Sequence, residues 1–518
     1  MEDEISAAWS PRDVVHALYV SARRAPGRTA VSHNGNAMSY AELAAAVRAL
    51  AERLGPSPGS VAVLVDRSPG TVVAMLGVLA AGGTYCPIDP AFPPVRQRTM
   101  LSAAGCESVV VPTSGMAVPG CARPIFLSGM PGSLERLDAS LAEFTPPAPD
   151  TPAYVLFTSG STGAPKPVVT PRRAIAAAVE SLVGLLGLQP ASRTMQFASL
   201  NWDTCLEEIL PTFSAGATLV LHDEFHTGSF PRMLRAIAAE QVTLLDLPTA
   251  FWHELVRHLA ECGTGLPDSV RTVVIGGEAA GSAQLAAWRE LPTSAVRLVN
   301  TYGCTETTLI THAIDLHGPV VHDGPARWSG AGRVPIGRAL PHVLEDIGDD
   351  GELLVAGPSL ASGYRNLPDA TASRFITRED GSGPRLWFRT GDRVSRTGDG
   401  ILRHEGRIDD DIKVRGIRVN PAEVESELIR CPGVSAAAVV GVQAAGRTTM
   451  TAYVVAEDTP GPGTAARLIA AELRQRVPEH LVPSQITAVP RLVHTASGKV
   501  DRAASHRTYS IPAIQGEE

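Results

Sequence analysis

YVLFTSGSTGAPK, residues 154–166, is the stretch of sequence that decides the fold. Residues 154–157 are apolar and predict a buried strand. Residues 158–166 are rich in Thr, Ser and Gly and end in Pro165 and Lys166. Small hydroxylated residues add hydrogen-bond donors, glycine lets the backbone bend around an anion, and lysine adds positive charge. The stretch therefore predicts a strand that runs into a loop for a polyphosphate.

This loop is not a Walker loop, because no Gly-Lys-Ser/Thr follows at the required spacing. A flexible Ser/Gly linker is the alternative interpretation of the loop taken alone. The preceding strand and the terminal Lys166 favour a phosphate site over a linker.

Strand-like and helix-like segments alternate on both sides of the loop. Residues 60–65 and 107–111 predict buried strands, and residues 70–81 predict an apolar helix. Such alternation is typical of parallel sheets covered by helices. We therefore predict an α/β fold whose large N-terminal domain, residues 1–408, consists of layered β-sheets with helices.

The composition of the sequence changes past residue 405. A charged, turn-prone run at 406–411 precedes a short strand, a helix predicted at 421–430 and a strand predicted at 436–442. This pattern indicates a small C-terminal α+β domain, residues 409–518, of ordinary domain size.

The bulk composition excludes several classes of protein. The 518 residues are 44% hydrophobic, carry a net charge of −8 and contain no basic block, which argues against nucleic-acid binding. The longest apolar stretch, around residues 72–81, is too short to span a membrane, and the acidic N-terminus does not resemble a signal peptide. Seven scattered cysteines without a C-x-x-C pair predict neither a metal knuckle nor a disulfide framework, so we expect a cytoplasmic protein.

The loop at 158–166 resembles the signature loop of the AMP-forming adenylating enzymes. This superfamily contains the acyl-CoA synthetases, the luciferases and the adenylation domains of nonribosomal peptide synthetases. Other segments resemble its motifs in the expected order, with wording typical of the peptide-synthetase branch. These segments are 38–43 (MSYAEL), 81–90 (AGGTYCPIDP), 300–308 (NTYGCTETT), 351–354 (GELL) continuing to 363–364 (GY), 388–392 (FRTGD), 406–416 (GRIDDDIKVRG) and 497–502 (SGKVDR).

The resemblance implies an ATP-dependent ligase with two half-reactions and with Mg²⁺ as a cofactor. A carboxylate attacks the α-phosphate of ATP to give an acyl-adenylate and pyrophosphate, and a thiol, usually a carrier-protein phosphopantetheine, then takes the acyl group. The small C-terminal domain is implied to be mobile and to rotate about a hinge at Asp409. One orientation brings in Lys499, which would bridge the carboxylate and the α-phosphate, and the other brings in residues 415–418.

The resemblance also assigns the phosphate loop residue by residue. Pro167 follows where glycine is usual in the family, and Arg172 stands where histidine is common. Proline removes an N–H and fixes φ, so we expect a stiffer loop exit with activity retained. The residues that would hold the β- and γ-phosphates are Thr158, Ser159, Ser161, Thr162 and Lys166, within a loop that includes Gly160 and Gly163.

The remaining nucleotide contacts are implied in the same way. Thr305 would touch the α-phosphate, and Glu306 would help to hold Mg²⁺, a hard cation suited to carboxylate oxygens. Tyr302 would stack on adenine. Asp392 would accept hydrogen bonds from the ribose hydroxyls, with Arg407 close by.

The segment 200–207 (LNWDTCLE) resembles the motif in which amino-acid-activating members place an aspartate against the substrate ammonium. Asp203 occupies that place, and fatty-acid and aryl-acid activators generally lack it, so an amino acid is the expected substrate. The family's other pocket positions fall on Thr204, Glu207, Asp246, Val274, Gly276, Thr301, Leu309, Ile310 and Lys499.

Two acids in this set, Glu207 and Asp246, favour a second cationic group on the substrate. Taken alone, Asp246 could be a helix cap and Glu207 a solvated helix residue beside Glu208. Buried carboxylates without a counter-charge are costly, and a second amine would supply that charge. The set resembles pockets assigned to β-lysine in pathways for streptothricin-like and tuberactinomycin-like antibiotics. Lysine, ornithine and arginine are the alternatives.

The partners follow from the same resemblance. Neither a carrier motif after Lys499 nor a condensation motif occurs in this sequence. We therefore expect a stand-alone adenylation enzyme or an excised domain that acts on a peptidyl carrier protein in trans, and an MbtH-like protein is a further candidate partner. Direct amide formation with a free amine, an acyl-CoA ligase and a non-catalytic nucleotide-binding relative remain as alternatives.

Overall fold

The structure is a computed structural model that describes residues 12–119, 122–127, 144–158, 165–319, 324–328, 330, 333–380, 383–408, 411–414, 416–444, 447–456, 462–494 and 500–510. The chain divides into two compact units. The larger unit comprises Met1–Pro90, Met100–Leu156 and Pro167–Ile408, and the smaller comprises Ala91–Thr99, Phe157–Lys166 and Asp409–Glu518.

The helices begin and end as follows: α1 (Val14–Arg24), α2 (Tyr40–Leu54), α3 (Pro69–Ala80), α4 (Pro94–Ala104), α5 (Arg172–Leu186), α6 (Thr204–Ser214), α7 (Phe230–Ala239), α8 (Thr249–Cys262), α9 (Ser282–Glu290), α10 (Pro368–Arg374), α11 (Pro421–Ile429), α12 (Pro462–Arg474) and α13 (Arg502–Tyr509). Short 3₁₀ turns occupy Asp223–His226, Thr305–Thr307 and Glu479–Leu481. Within the described ranges, none of the helices combines the length and the apolar character that a membrane crossing needs.

The strands, in chain order, are β1 (Thr29–His33), β2 (Asn36–Ser39), β3 (Ser60–Leu64), β4 (Thr84–Ile88), β5 (Ser108–Val111), β6 (Arg123–Phe126), β7 (Pro152–Thr158), β8 (Lys166–Pro171), β9 (Arg193–Met195), β10 (Thr218–Leu221), β11 (Leu244–Pro248), β12 (Thr272–Gly276), β13 (Arg297–Gly303), β14 (Ile310–His317), β15 (Arg338–Ala339), β16 (Leu344–Ile347), β17 (Glu352–Ala356), β18 (Gly363–Tyr364), β19 (Phe375–Asp380), β20 (Gly383–Arg396), β21 (Leu402–Arg407), β22 (Ile412–Val414), β23 (Ile417–Val419), β24 (Val434–Ala444), β25 (Arg447–Ala456) and β26 (Gln485–Ala488).

Two large sheets form the framework of the larger unit. One has nine strands in the order β15-β14-β13-β12-β11-β9-β10-β1-β2, and the other has seven in the order β18-β8-β7-β4-β3-β5-β6. Neighbours from β13 to β1 in the first sheet, and β7, β4, β3, β5 and β6 in the second, run parallel. The predicted α/β class is confirmed, because the apolar strands at 60–64 and 108–111 are buried in the second sheet with α3 beside them.

A third sheet in the larger unit is antiparallel, with the order β16-β17-β20-β19 and with β21 paired to β20. The sequence prediction did not include it. Its long strand β20 is buried in the middle and exposed towards both ends, and it mixes polar with apolar residues, so it lacks the continuous apolar run that identified the parallel strands. This sheet matters for function because β20 and β21 present Asp392 and Arg407 directly opposite each other.

The smaller unit has its own core. Helix α11 and strand β24 lie close to the predicted positions, β25 pairs antiparallel with β24, and β26 adds a parallel third strand. Apolar residues of α11, β24, β25 and α12 pack into one cluster, which includes Val424, Leu428, Val439, Val454 and Leu473. Asn420 caps α11 by accepting a hydrogen bond from the Ala422 N–H at 2.9 Å.

Candidate active site

Three carboxylates predicted to share a pocket lie together in the larger unit. Asp203 is the N-cap residue of α6, and Glu207 follows one helical turn later on the same face of the helix. Asp246 lies on β11 and is 5% exposed. The charges of Asp246 and Asp203 both act on Glu207, so the three carboxylates lie close to one another.

Asp246 is not a helix cap, so that alternative interpretation was wrong. Helix α8 begins at Thr249 with Pro248 as its N-cap, and Asp246 is within the preceding strand. Its neighbours Leu245 and Leu247 pack into the apolar core on one face of the sheet. Since strand residues alternate between faces, Asp246 points to the opposite face, towards α6.

Burial without a counter-charge governs the chemistry of this pair. Among the described residues, no Lys, Arg or His forms an ion pair with Glu207 or Asp246. Burial raises the pKa of Glu207 well above its usual range, and the charges of Asp246 and Asp203 raise it further. Burial also raises the pKa of Asp246, against which the hydrogen bond from Glu207 acts.

Small and apolar residues on β12 and β13 lie beside this acidic pair. Val274 is opposite Asp246 in the parallel register of β11 and β12 and is fully buried. The Thr301 hydroxyl donates to the Ile275 carbonyl at 3.0 Å. A methyl group on Gly276 would lie 2.6 Å from that hydroxyl oxygen, so this position needs glycine for space.

The remaining predicted pocket residues lie at the start of α6 and around the start of β14. Thr204 is the first residue of α6. Leu309 and Ile310 are 2% and 3% exposed and pack in the main apolar core of the larger unit. Thr308 and Leu309 both have positive φ, 59° and 65°, in the turn that leads from the 3₁₀ helix into β14.

The 3₁₀ turn after β13, Thr305–Thr307, contains the predicted metal ligand Glu306 and contacts Asp203. The Thr305 side chain forms a hydrogen bond with Asp203, which favours the ionised carboxylate, whereas burial and the Glu306 charge raise the Asp203 pKa. Glu306 is 2% exposed. The Tyr364 hydroxyl donates to Glu306 Oε1 at 2.8 Å. Thr305 is therefore in contact with Asp203, and Glu306 lies close enough for its charge to act on Asp203.

Asp392 is the centre of a second polar cluster. It is 3% exposed. Its Oδ2 accepts a 2.6 Å hydrogen bond from the Tyr302 hydroxyl, and its Oδ1 accepts one of 3.0 Å from Arg407 Nη1. His404 Nε2 lies 3.0 Å from the same Oδ1. Three residues that the sequence predicted at the nucleotide, Tyr302, Asp392 and Arg407, are thus in direct contact.

Two residues of these clusters were missed by the sequence analysis. His404 precedes the family-like segment by two residues on β21, and nothing in the sequence pairs it with Asp392. Glu208 is fully buried, although its neighbour Glu207 suggested a solvated helix face. Its Oε1 accepts hydrogen bonds from the Phe197 and Ala198 N–H groups, both at 2.9 Å.

A short hydrogen-bond network connects Glu208 through Gln196 to Arg67. Gln196 Nε2 donates to Glu208 Oε2 at 3.0 Å, and Arg67 Nη1 donates to Gln196 Oε1 at 3.0 Å. Burial and the Asp246 charge nevertheless raise the pKa of Glu208 to about 8. Glu208 therefore differs from the Glu207–Asp246 pair, because it has a nearby cation and three donors.

The phosphate loop itself is only partly described. Thr158 ends β7 and Lys166 begins β8. Ser159, Gly160, Ser161, Thr162 and Gly163, together with Asp409, Arg415 and Lys499, lie outside the described residues. Arg172, where histidine was expected, is 3% exposed, and its Nη1 donates to the Leu79 carbonyl at 3.2 Å.

The sequence matches two families. Residues 18–365 match the family described as AMP-binding enzyme, and residues 423–499 match the AMP-binding enzyme C-terminal domain. Within the described residues, no group of three or more His, Cys, Asp or Glu residues could hold a metal ion by itself.

Curated relatives share this sequence over nearly its whole length. Isonitrile lipopeptide synthase of Streptomyces coeruleorubidus is 40% identical over 503 residues, which is 95% of this chain and 33% of that protein. Phenyloxazoline synthase MbtB of Mycobacterium tuberculosis is 34% identical over 520 residues, which is 96% of this chain and 35% of that protein. The chain thus spans about a third of the length of these relatives.

Solved structures share the fold. The amide bond synthetase McbA from Marinactinospora thermotolerans superposes with a TM-score of 0.78 at 27% identity, over 96% of this chain and 100% of that one. NpsA-ThdA, an artificially fused adenylation–PCP di-domain protein from Klebsiella oxytoca, superposes with a TM-score of 0.78 at 24% identity, over 92% and 94% of the two chains.

Proposed function

Because the chain belongs to the family of AMP-binding enzymes, we propose that it uses ATP to adenylate an amino acid that carries a second amino group. The match to the AMP-binding enzymes supports the general activity, which is adenylation of the nonribosomal peptide synthetase type. The identity of the amino acid is the further step. The observation that supports it is the Glu207–Asp246 pair, in which Asp246 is buried and Glu207 half-buried and for which the described residues provide no ion pair.

The acidic pocket fits the two ammonium groups of a diamino acid. Asp203, at the start of α6 and in contact with Thr305, would bind the ammonium next to the reacting carboxylate. Glu207 and Asp246 would bind the distal ammonium. A neutral side chain in the same place would leave the pair's desolvation uncompensated, which is unfavourable by several kcal/mol if both carboxylates ionise.

β-Lysine is the substrate that we propose first, with lysine, ornithine and arginine as alternatives. All four carry a cationic group at the distal end, so the carboxylate pair alone does not rank them. The preference for β-lysine rests on the resemblance of the whole pocket set to β-lysine pockets of antibiotic pathways.

The nucleotide would occupy the cluster around Asp392. This carboxylate is held by Tyr302 and Arg407 and would accept hydrogen bonds from the ribose hydroxyls, with the Tyr302 ring against adenine. Glu306 fits Mg²⁺, because its buried carboxylate is fixed by the Tyr364 hydroxyl and offers hard oxygen ligands. The metal would neutralise phosphate charge during adenylation. Thr158, residues 159–163 and Lys166 would bind the β- and γ-phosphates, and Lys499 would reach the α-phosphate after rotation about Asp409.

The acyl acceptor is a separate proposal. We propose a peptidyl carrier protein in trans, with an MbtH-like protein as a candidate partner. The similarity to an amide bond synthetase over that protein's whole length keeps direct transfer to a free amine as a second candidate.

Amino-acid-dependent pyrophosphate exchange tests the substrate, and an acceptor assay tests the second step. We expect exchange with β-lysine, lysine, ornithine or arginine, and transfer to the free phosphopantetheine thiol of a carrier protein but not to coenzyme A. A strong preference for a neutral or aryl acid would remove the diamino-acid proposal. Transfer to coenzyme A would indicate an acyl-CoA ligase, and transfer to a free amine would indicate an amide synthetase.

A further inference from the structure

The pairing of β20 with β21 is irregular beside the Asp392 cluster. Asp392 is opposite Arg407. Val394, two residues further along β20, is opposite His404, which lies three residues before Arg407. One extra residue is therefore inserted into β21, which is the arrangement of a β-bulge. Gly406 has a φ of 135°, a value that favours glycine, so the bulge depends on this position.

The bulge decides which side chains of β21 face Asp392. In a regular strand, residues 405 and 407 would share a face and residue 404 would point away from it. Here Nε2 of His404 and Nη1 of Arg407 each lie 3.0 Å from Asp392 Oδ1. Glu405 instead accepts a 2.6 Å hydrogen bond from the Ser395 hydroxyl. Since Ser395 is three residues from Asp392 on β20, Glu405 lies on the opposite face of the sheet.

Three donors fix the rotation of the Asp392 carboxylate. The Tyr302 hydroxyl donates to Oδ2 at 2.6 Å, while His404 and Arg407 meet at Oδ1. An ionised carboxylate only accepts hydrogen bonds, so Nε2 of His404 carries the proton in this contact. The side chain of His404 is 32% exposed, whereas that of Arg407 is 11% exposed. His404 is therefore the donor nearer to solvent.

We propose that His404 is a positioning residue for the ribose of ATP, which acts by holding Asp392 in the orientation that accepts from the ribose hydroxyls. A carboxylate that is already oriented in the free protein loses little side-chain freedom when the nucleotide binds. This inference rests on the proposed nucleotide site. It adds a residue that lies outside every segment with a resemblance to the adenylating enzymes.

The test is calorimetric titration of the full chain with ATP and with 2′,3′-dideoxy-ATP, both with Mg²⁺. Binding of the nucleotide does not depend on which amino acid is the substrate. His404→Phe keeps an aromatic ring but removes the donor, so we expect the Kd for ATP to rise by about five- to tenfold. The Kd for 2′,3′-dideoxy-ATP should change by less than about twofold, because this nucleotide has no hydroxyl for Asp392 to bind.

A double-variant cycle tests whether His404 acts through Asp392. Asp392→Ala removes the group that His404 would position. In that background His404→Phe should change the Kd for ATP by less than about twofold, against about five- to tenfold in the wild-type background. A histidine that only stabilised the hairpin would have the same effect in both backgrounds.

Three more variants serve as rescue and controls. His404→Gln keeps an N–H donor and should retain most of the affinity for ATP. Glu405→Gln is the matched control on the other face of β21, where its ion pair with Arg333 is exposed, and it should bind ATP as the wild type does. Glu180→Gln, an exposed position on α5, is a second control. Thermal unfolding checks that every variant is folded.

The outcomes separate this inference from the proposed nucleotide site. A loss for ATP alone in His404→Phe that disappears in the Asp392→Ala background would support both. If Asp392→Ala weakens binding of ATP alone and His404→Phe weakens neither nucleotide, the inference is overturned and the nucleotide site stands. Equal losses for both nucleotides in His404→Phe would also overturn the inference. If neither variant weakens ATP binding, both are overturned.

Discussion

Asp246→Asn isolates the charge that the distal ammonium would need. Asparagine has nearly the same volume and still accepts a hydrogen bond from Glu207, so the change removes a charge with little change of shape. In the wild type this carboxylate is 5% exposed, and the described residues provide no ion pair for it. A diamino substrate would therefore lose one of two buried carboxylate partners.

The expected loss follows from the burial. A hydrogen bond to a charged group contributes about 1.5–3 kcal/mol, and breaking a buried ion pair costs about 3–5 kcal/mol. Glu207 remains to share the ammonium, so we expect about 3 kcal/mol, which is roughly a 10²-fold fall in kcat/KM for lysine or β-lysine. Norleucine should change by less than about threefold, because it never pairs with Asp246.

Pyrophosphate exchange at pH 8 with saturating ATP measures both values, with Glu180→Gln as the control. The reasoning would be refuted if Asp246→Asn lowered kcat/KM for the lysine isomers and for norleucine by the same factor. That result would mean that Asp246 supports the fold of the pocket and does not read the side chain.

Three further predictions concern ATP, pocket space and stability. Asp392→Asn should raise the KM for ATP by about tenfold or more and leave the KM for the amino acid nearly unchanged, since one charge-assisted partner of the ribose site is lost; an equal rise in both KM values would argue against a nucleotide role. Gly276→Ala should destabilise the protein by about 1–3 kcal/mol and raise the KM for the amino acid, because its methyl group would meet Thr301 Oγ1 at 2.6 Å. Chemical unfolding measures the change in stability, and exchange kinetics measure the change in KM. Thr301→Ala in the same chain should restore part of the loss. The free energy of unfolding without substrate should fall as pH rises from about 5 to 8. In this range Glu207 and Asp246 keep protons in the folded state that the unfolded chain has already released. An equally steep fall in the Glu207→Gln/Asp246→Asn double variant would contradict this origin.

Local sequence signals predicted the parallel framework well. The apolar runs at 60–64 and 108–111 form strands, and the apolar helix begins at Pro69, within one residue of its predicted start. Such segments are buried on both faces, so their composition alone identifies them. The resemblance to the adenylating enzymes is likewise confirmed by the match over residues 18–365.

The antiparallel sheet and several contacts could not be predicted in this way. Strand β20 mixes polar and apolar residues, and its two ends are more exposed than its middle. His404 and Asp392 are twelve residues apart, and only the hairpin of β20 and β21 brings them together. Long-range register of this kind is not encoded in composition.

The acidic residues show where sequence patterns alone fail to predict the structure. Asp246, two residues before Pro248, resembled a helix cap, but tertiary packing places it inside β11. The adjacent Glu207 and Glu208 look alike in sequence, yet Glu208 accepts three hydrogen bonds and Glu207 pairs with Asp246. Their difference arises from which face of α6 each occupies.

The enzyme is proposed to activate an amino acid that carries a second cationic group. The most direct measurement is incubation of the full chain with ATP, Mg²⁺ and an equimolar mixture of β-lysine, lysine, ornithine, arginine, norleucine and an aryl acid, with hydroxylamine to trap the adenylates for mass spectrometry. We predict that the hydroxamate of one diamino acid or of arginine predominates by about 10²-fold over that of norleucine. A dominant hydroxamate from norleucine or from the aryl acid would contradict the account.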